Sequence, residues 1–190
     1  MKFLIVNSHP YEKSFNRQLT QSIADTLNKK HEVEVIDLVE DGFNPVMEAA
    51  DLKVFAGGKA ADEKVYEYQN KIKEADVLVF AFPIWWGIMP ATLKGFIDKV
   101  FLKDFAYIYT ETGLQGILNK KAVVVTTMET EKDIYNNVLN NPVQNQFING
   151  TLGMCHIQTE KYFQIDKINS GTDEYRKNEY NNIVKYFENM

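Results

Sequence analysis

A single cysteine, Cys155, leaves no partner for an internal disulfide and no Cys-x-x-Cys redox pair. A lone thiol of this kind reads as a small buried hydrophobe. The three histidines are not spaced as a ligand pair with one another or with the cysteine, which argues against a metal. Several nucleotide and hydrolase fingerprints are also missing. No G-x-G-x-x-G follows the first apolar run, and neither G-x-x-x-x-G-K-[ST] nor G-x-S-x-G occurs. These absences disfavour a standard dinucleotide fold, a P-loop NTPase and an α/β-hydrolase. A phosphoacceptor receiver module would need acidic residues where Asn7, Ser8 and Pro83 stand. Nor is there a long hydrophobic run. The apolar opening, Met1 to Val6, passes at once into Asn7-Ser8-His9-Pro10, too short for a signal peptide or a membrane span, so a cytoplasmic protein without membrane insertion is expected. Clustered Lys and Arg are lacking as well. A net charge of −5 argues against nucleic acid as the main partner and leaves small molecules or proteins.

What is present fits one folded domain spanning residues 1–190, with 45% hydrophobic and 25% charged residues and no repeat or linker to divide it. Four short, β-branched apolar runs recur at Phe3 to Asn7, Val33 to Leu38, Val77 to Phe82 and Ala122 to Thr127. His156 to Ile165 is a weaker fifth. Between them the spacing predicts helices at Ser14 to Lys29, Ala60 to Glu74, Pro90 to Phe101, Glu131 to Asn140 and Glu174 to Glu188. In the first of these, Phe15, Leu19, Ile23 and Leu27 share one face. Alternating strands and helices imply an α/β fold: a doubly wound, five-stranded parallel sheet with helices on both faces, in the flavodoxin-like order 2-1-3-4-5. Asp41 to Gly58 and Lys103 to Asn119 read as two long loops.

In that order the crevice opens at the carboxyl ends of strands one and three, where the loops are Asn7 to Asn16 and Phe82 to Gly87. The first loop feeds a helix start at Ser14, which is either a phosphate site or a simple N-cap. His9 is a phosphate donor, a general base or a loop-closing partner. The second loop carries Pro83, Ile84, Trp85 and Trp86, the last two being the only tryptophans. A flat ring system bearing a phosphate suits both loops, and a flavin meets that description.

The segment Phe82-Pro83-Ile84-Trp85-Trp86-Gly87-Ile88-Met89-Pro90 to Lys94-Gly95-Phe96-Ile97-Asp98-Lys99-Val100-Phe101 resembles the flavin-dependent NAD(P)H:quinone oxidoreductases. His9-Pro10 with Ser14-Phe15-Asn16, Phe105-Ala106-Tyr107, and Lys120 to Thr127 match in the same order. The resemblance implies that His9, Ser14, Phe15 and Asn16 hold the flavin phosphate and ribityl chain, and that Pro83, Ile84, Trp85 and Trp86 line the ring. It implies that Thr126 and Thr127, followed by Met128 and Glu129, contact the pyrimidine end, with Tyr135 as the catalytic tyrosine. The cofactor would be FMN, with FAD the alternative, since the chain lacks the long C-terminal region of larger members. NAD(P)H would be the co-substrate, a quinone-like molecule the acceptor, and the assembly a homodimer with the site at its interface, working by a ping-pong hydride transfer. Azo- or nitroreduction by the same apparatus is the alternative, as is a regulatory accessory subunit of a potassium-efflux system. Two departures stand out. Met128-Glu129 replaces the family's Gly-Gly, and Asn140, Asn141 and Pro142 stand where mammalian members have a histidine.

Overall fold

The apolar runs that form the three central strands are buried on both faces, which is what a parallel sheet sandwiched between helices requires. The computed structural model, which describes residues 1–190, pairs β1 (Lys2–Asn7), β2 (Glu32–Asp37), β3 (Val77–Pro83), β6 (Lys120–Thr127) and β7 (Ile157–Ile165) as one parallel sheet in the order β2-β1-β3-β6-β7. This is the expected 2-1-3-4-5 winding. The additional strands, β4 (Tyr107–Thr110) and β5 (Gly113–Gly116), form a separate antiparallel hairpin.

Side chains alternate between two cores. Leu4, Leu78, Phe80, Phe82 and Val124 face α3 (Glu63–Glu74) and α4 (Ala91–Val100), whereas Phe3, Ile5, Val77, Val79 and Val125 face α1 (Phe15–Leu27) and α5 (Asp173–Glu188). The first core is the larger because it also takes in Phe105, Leu118, Phe147 and Leu152 from the crossover between β6 and β7 and the segment around the hairpin.

Three expectations need correction. The stretch from Lys103 to Asn119 is not an irregular loop but carries the β4–β5 hairpin, whose four-residue strands are too short to show an alternating pattern. The stretch from Asp41 to Gly58 contains a short helix, α2 (Ala49–Phe55), started by the Asp51 carboxylate accepting the Glu48 N–H at 2.9 Å. The predicted helix from Glu131 to Asn140 is wound as a π-helix over Ile134–Val138, with Leu139 N–H donating to Ile134 C=O at 3.0 Å, and a second π-helical stretch follows at Val143–Leu152. Hydrogen bonds to the fifth residue shift the repeat away from 3.6, so a search at that period reads the first stretch as an ordinary helix and passes over the second.

α4 is seated against the α2 region by backbone proximity and by charge. A Cβ on Gly95 would lie 2.2 Å from the Pro45 carbonyl oxygen, so only glycine permits this approach. One turn further on, Lys99 lies 3.2 Å from Asp51, with both side chains nearly buried, and donates to the carbonyls of Asn44 and Val46. The two outer strands are charged. β2 presents Glu32 and Glu34 to Lys2, at 3.1 and 3.6 Å, and β7 carries a bulge that leaves Glu160 out of register with β6 and paired with Lys121. No helix is long and apolar enough to cross a membrane.

Candidate active site

β1 ends in Asn7, and the loop beyond it is held from below. The Asn7 amide donates to Asp37 at 3.0 Å, Asp37 pairs with Arg17 at 2.7 Å, and Arg17 donates to the His9 carbonyl at 3.3 Å. His9 Nδ1 accepts the Tyr11 N–H at 3.1 Å, which puts the proton of the neutral ring on Nε2. Burial, with the Arg17 charge adding to it, lowers the His9 pKa and favours that neutral form. Ser14 has extended backbone and its hydroxyl accepts the Arg17 N–H at 3.2 Å, so it is an N-cap in fact. The Phe15 and Asn16 N–H groups take no partner within the chain. Asn16 is 3% exposed, yet neither end of its side-chain amide is hydrogen-bonded, and the buried Ser8 hydroxyl is likewise unsatisfied. Buried polar atoms are rarely left so, and these fit a phosphorylated ligand seated at the helix start.

β3 ends at Pro83. Ile84 N–H donates to Thr127 C=O at 2.7 Å, while Trp85 and Ile88 exchange backbone hydrogen bonds across a tight turn. Trp86, at φ 50°, and Gly87, at φ 86°, fill that turn in left-handed conformations. Neither tryptophan is in the core. Trp86 is fully exposed, and Trp85 stands edge-on to His9 with ring centroids 5.7 Å apart. The N–H groups of Trp86 and Gly87 have no acceptor within the chain.

At the end of β6 the residues diverge. Thr127 faces the cleft, but Thr126 is fully buried with its hydroxyl donating to Phe163 C=O at 3.3 Å, so its side chain is structural. Met128 borders the cleft, yet its N–H donates to Ile165 C=O at 2.8 Å and its C=O accepts the Ile168 N–H at 3.1 Å. Met128 thus offers no backbone donor to a ring, whereas the Glu129 N–H takes no acceptor within the chain. Glu129 also borders the cleft. Its carboxylate accepts the N–H groups of Asn169 at 2.8 Å and Ser170 at 3.2 Å, and hydrogen bonding from Ser170 and Asn169 holds its pKa below the usual value.

These three loops enclose a cleft of about 490 Å³ lined by His9, Ser14, Phe15, Asn16, Pro83, Ile84, Trp85, Thr127, Met128 and Glu129. Four more lining residues escaped the sequence analysis: Tyr11, Ile168, Asn169 and Arg176. Ile168 and Asn169 come from the connection after β7, and Arg176, in the first turn of α5, donates to the carbonyls of Ile168 and Gly171 at 3.1 and 2.7 Å. The signal was available. Asn169-Ser170-Gly171 is a turn sequence at a strand's carboxyl end, and such ends converge in this topology.

A second, open groove of about 860 Å³ adjoins the cleft and shares Ile84, Trp85 and Glu129 with it. Trp86 and Gly87 form one flank, and Tyr135, Leu139 and Pro142 the other. Tyr135 is where the sequence places a catalytic group, but its phenol is 1% exposed, donating to Gly87 C=O at 2.8 Å and accepting the Val143 N–H at 3.2 Å. Its proton is engaged, and burial raises its pKa. The geometry makes it a strut between the tryptophan turn and the second π-helical stretch. Asn140 and Asn141, both left-handed, join the two π-helical stretches.

A family model described as a flavodoxin-like fold matches residues 1–187. An NAD(P)H oxidoreductase of Haemophilus influenzae, itself uncharacterised, is 30% identical over 183 residues, covering 93% of this chain and 89% of its own. NAD(P)H dehydrogenase (quinone) 1 of Cavia porcellus is 30% identical over 185 residues, covering 82% of this chain; the match spans 64% of that enzyme's length, less than two thirds. Among solved structures, an NAD(P)H:quinone oxidoreductase of Methanothermobacter marburgensis superposes with a TM-score of 0.88 at 26% identity, covering 100% of this chain and 98% of the other. With a family match over nearly its whole length and a relative matched over about nine tenths of both chains, the chain belongs to the flavodoxin-like NAD(P)H:quinone oxidoreductase family.

Proposed function

We propose that the protein is a flavin-dependent NAD(P)H oxidoreductase that reduces quinones or similar planar acceptors by two electrons. The observation that carries this reading is the pairing, in one cleft, of an unsatisfied helix start with an aromatic wall. The free N–H groups of Phe15 and Asn16 and the unpartnered Asn16 amide suit a phosphoryl group, while Ile84 and Trp85 suit a flat ring beside it. One such donor set accommodates one phosphate, which favours FMN over FAD.

Bound flavin would supply the two-electron relay by which NAD(P)H, a proton and a quinone give NAD(P)⁺ and a hydroquinone. The chain's own part is to bind, orient and shield. His9 Nε2–H and the helix start hold the anionic end. The free N–H groups of Trp86 and Gly87 offer donors at the ring's edge, and the groove beyond them receives nicotinamide or acceptor in turn. No side-chain acid with an uncommitted proton lines that groove, so none of these residues is assigned the proton transfer to the acceptor. The exposed Trp86, Val138 and Leu139 beside the groove support a homodimer with the site at its interface.

The test is direct. Purified protein should carry, or take up on titration, a flavin released on denaturation as FMN, and should then oxidise NADH or NADPH with a simple naphthoquinone. Failure to bind either FMN or FAD in excess would overturn the reading.

A further inference from the structure

Nine residues line the open groove beside the cleft, and only one of them carries a charge: Glu129. The others are apolar, aromatic, glycine, or the neutral Thr130. Because Glu129 also borders the cleft, it stands at the junction between the two spaces, together with Ile84 and Trp85.

Its charge is neither mobile nor neutralised by a cation. Two backbone N–H groups, from Asn169 and Ser170, hold the carboxylate in place at 2.8 and 3.2 Å. Backbone amides fix its position while leaving its full negative charge. The nearby cations are committed elsewhere. Lys167 pairs with Glu131 at 3.1 Å, Lys132 with Glu179 at 2.9 Å, and Arg176 bonds the carbonyls of Ile168 and Gly171 and the carboxylate of Asp173. A fixed acidic group with no cation partner at the edge of an apolar groove repels any anion entering it, and because Glu129 is itself exposed the repulsion is screened in part by water and salt.

Resting on the redox reading above, we propose that Glu129 selects the acceptor by charge: neutral or cationic planar acceptors are admitted, and those with a sulfonate or carboxylate on the ring are disfavoured. This is specificity by repulsion, in which one partner is refused and the other gains no new contact. It acts on the approach and seating of the acceptor and asks nothing of the hydride transfer itself.

The experiment uses the full chain loaded with FMN, NADH at a saturating level, and two naphthoquinones, one unsubstituted and one sulfonated on the ring. For each, kcat/KM is measured in the wild type, Glu129→Gln and Glu129→Lys. Removing one unit of charge at contact range across partly solvated space should raise the sulfonated-to-neutral ratio by roughly fivefold, and Glu129→Lys should raise it further. In the unmodified protein, raising the salt concentration should move the same ratio in the same direction, a check that needs no variant to fold. A ratio that stays constant across the variants and the salt series overturns charge selection while leaving the redox activity standing. Absence of NADH oxidation with either quinone in flavin-loaded wild type overturns the redox reading, and the proposal with it.

Discussion

At Asn16 a polar side chain sits in the core with both ends unsatisfied, a cost to the free protein that only a ligand removes. Asn16→Leu keeps the volume and deletes that cost. The variant should be more stable by about 1 kcal/mol in urea titration yet bind flavin at least tenfold more weakly, since a charge-assisted hydrogen bond contributes roughly 1.5–3 kcal/mol. If stability and affinity fell together, Asn16 would be an ordinary structural residue. Tyr135 offers the opposite case. Tyr135→Phe leaves the Gly87 carbonyl and the Val143 N–H without their shared partner and should lower stability by about 1–3 kcal/mol, with the shape of the pH–rate profile retained. Loss of a titrating limb at unchanged stability would restore a catalytic role. Sequence alone located Asn16 and Tyr135 because loop position and family pattern point to them. It could not tell a free hydroxyl from an engaged one, since the partners Gly87 and Val143 become neighbours only through folding.

Among the elements, the sheet was legible and the crossover between β6 and β7 was not. β1, β3 and β6 carry short, dominantly apolar runs whose burial on both faces leaves one reading. The first π-helical stretch reads as an ordinary helix, the second and the β4–β5 hairpin give no clear 3.6 or 2.0 repeat, and α2 is one of the shortest helices with an exposed Leu52. What fixes α2 is tertiary: Lys99 reaching Asp51 from α4. Lys99→Met should therefore strand a buried carboxylate and destabilise the protein by about 3–5 kcal/mol. The double variant Lys99→Met with Asp51→Leu should recover most of that loss. A double variant no more stable than the single one would mean that the carbonyl contacts to Asn44 and Val46 dominate.

At the scale of the whole molecule, acid stability is set in part by Asp166, at the point where the connection after β7 leaves the sheet. Burial alone would raise its pKa, but the Tyr175 hydroxyl, the Lys132 N–H at 2.9 Å and the Lys132 ammonium at 3.8 Å together hold it below the usual value. A lowered folded-state pKa stabilises the native state above the unfolded value, near 3.9. That contribution disappears as pH falls through the folded value. An acid titration followed by circular dichroism should therefore show Asp166→Asn less stable than wild type at neutral pH, with the gap closing below about pH 4. A gap that persists unchanged to pH 2 would mean the carboxylate's charge contributes nothing. The charged outer strands have another consequence. Glu32 and Glu34 flank one margin of the sheet, and the bulged, Lys- and Glu-bearing β7 flanks the other, so neither offers a flat row of unpaired amides to a neighbour. Strand-by-strand growth of the folded chain into fibres is thus disfavoured, and any contact between copies is left to side chains.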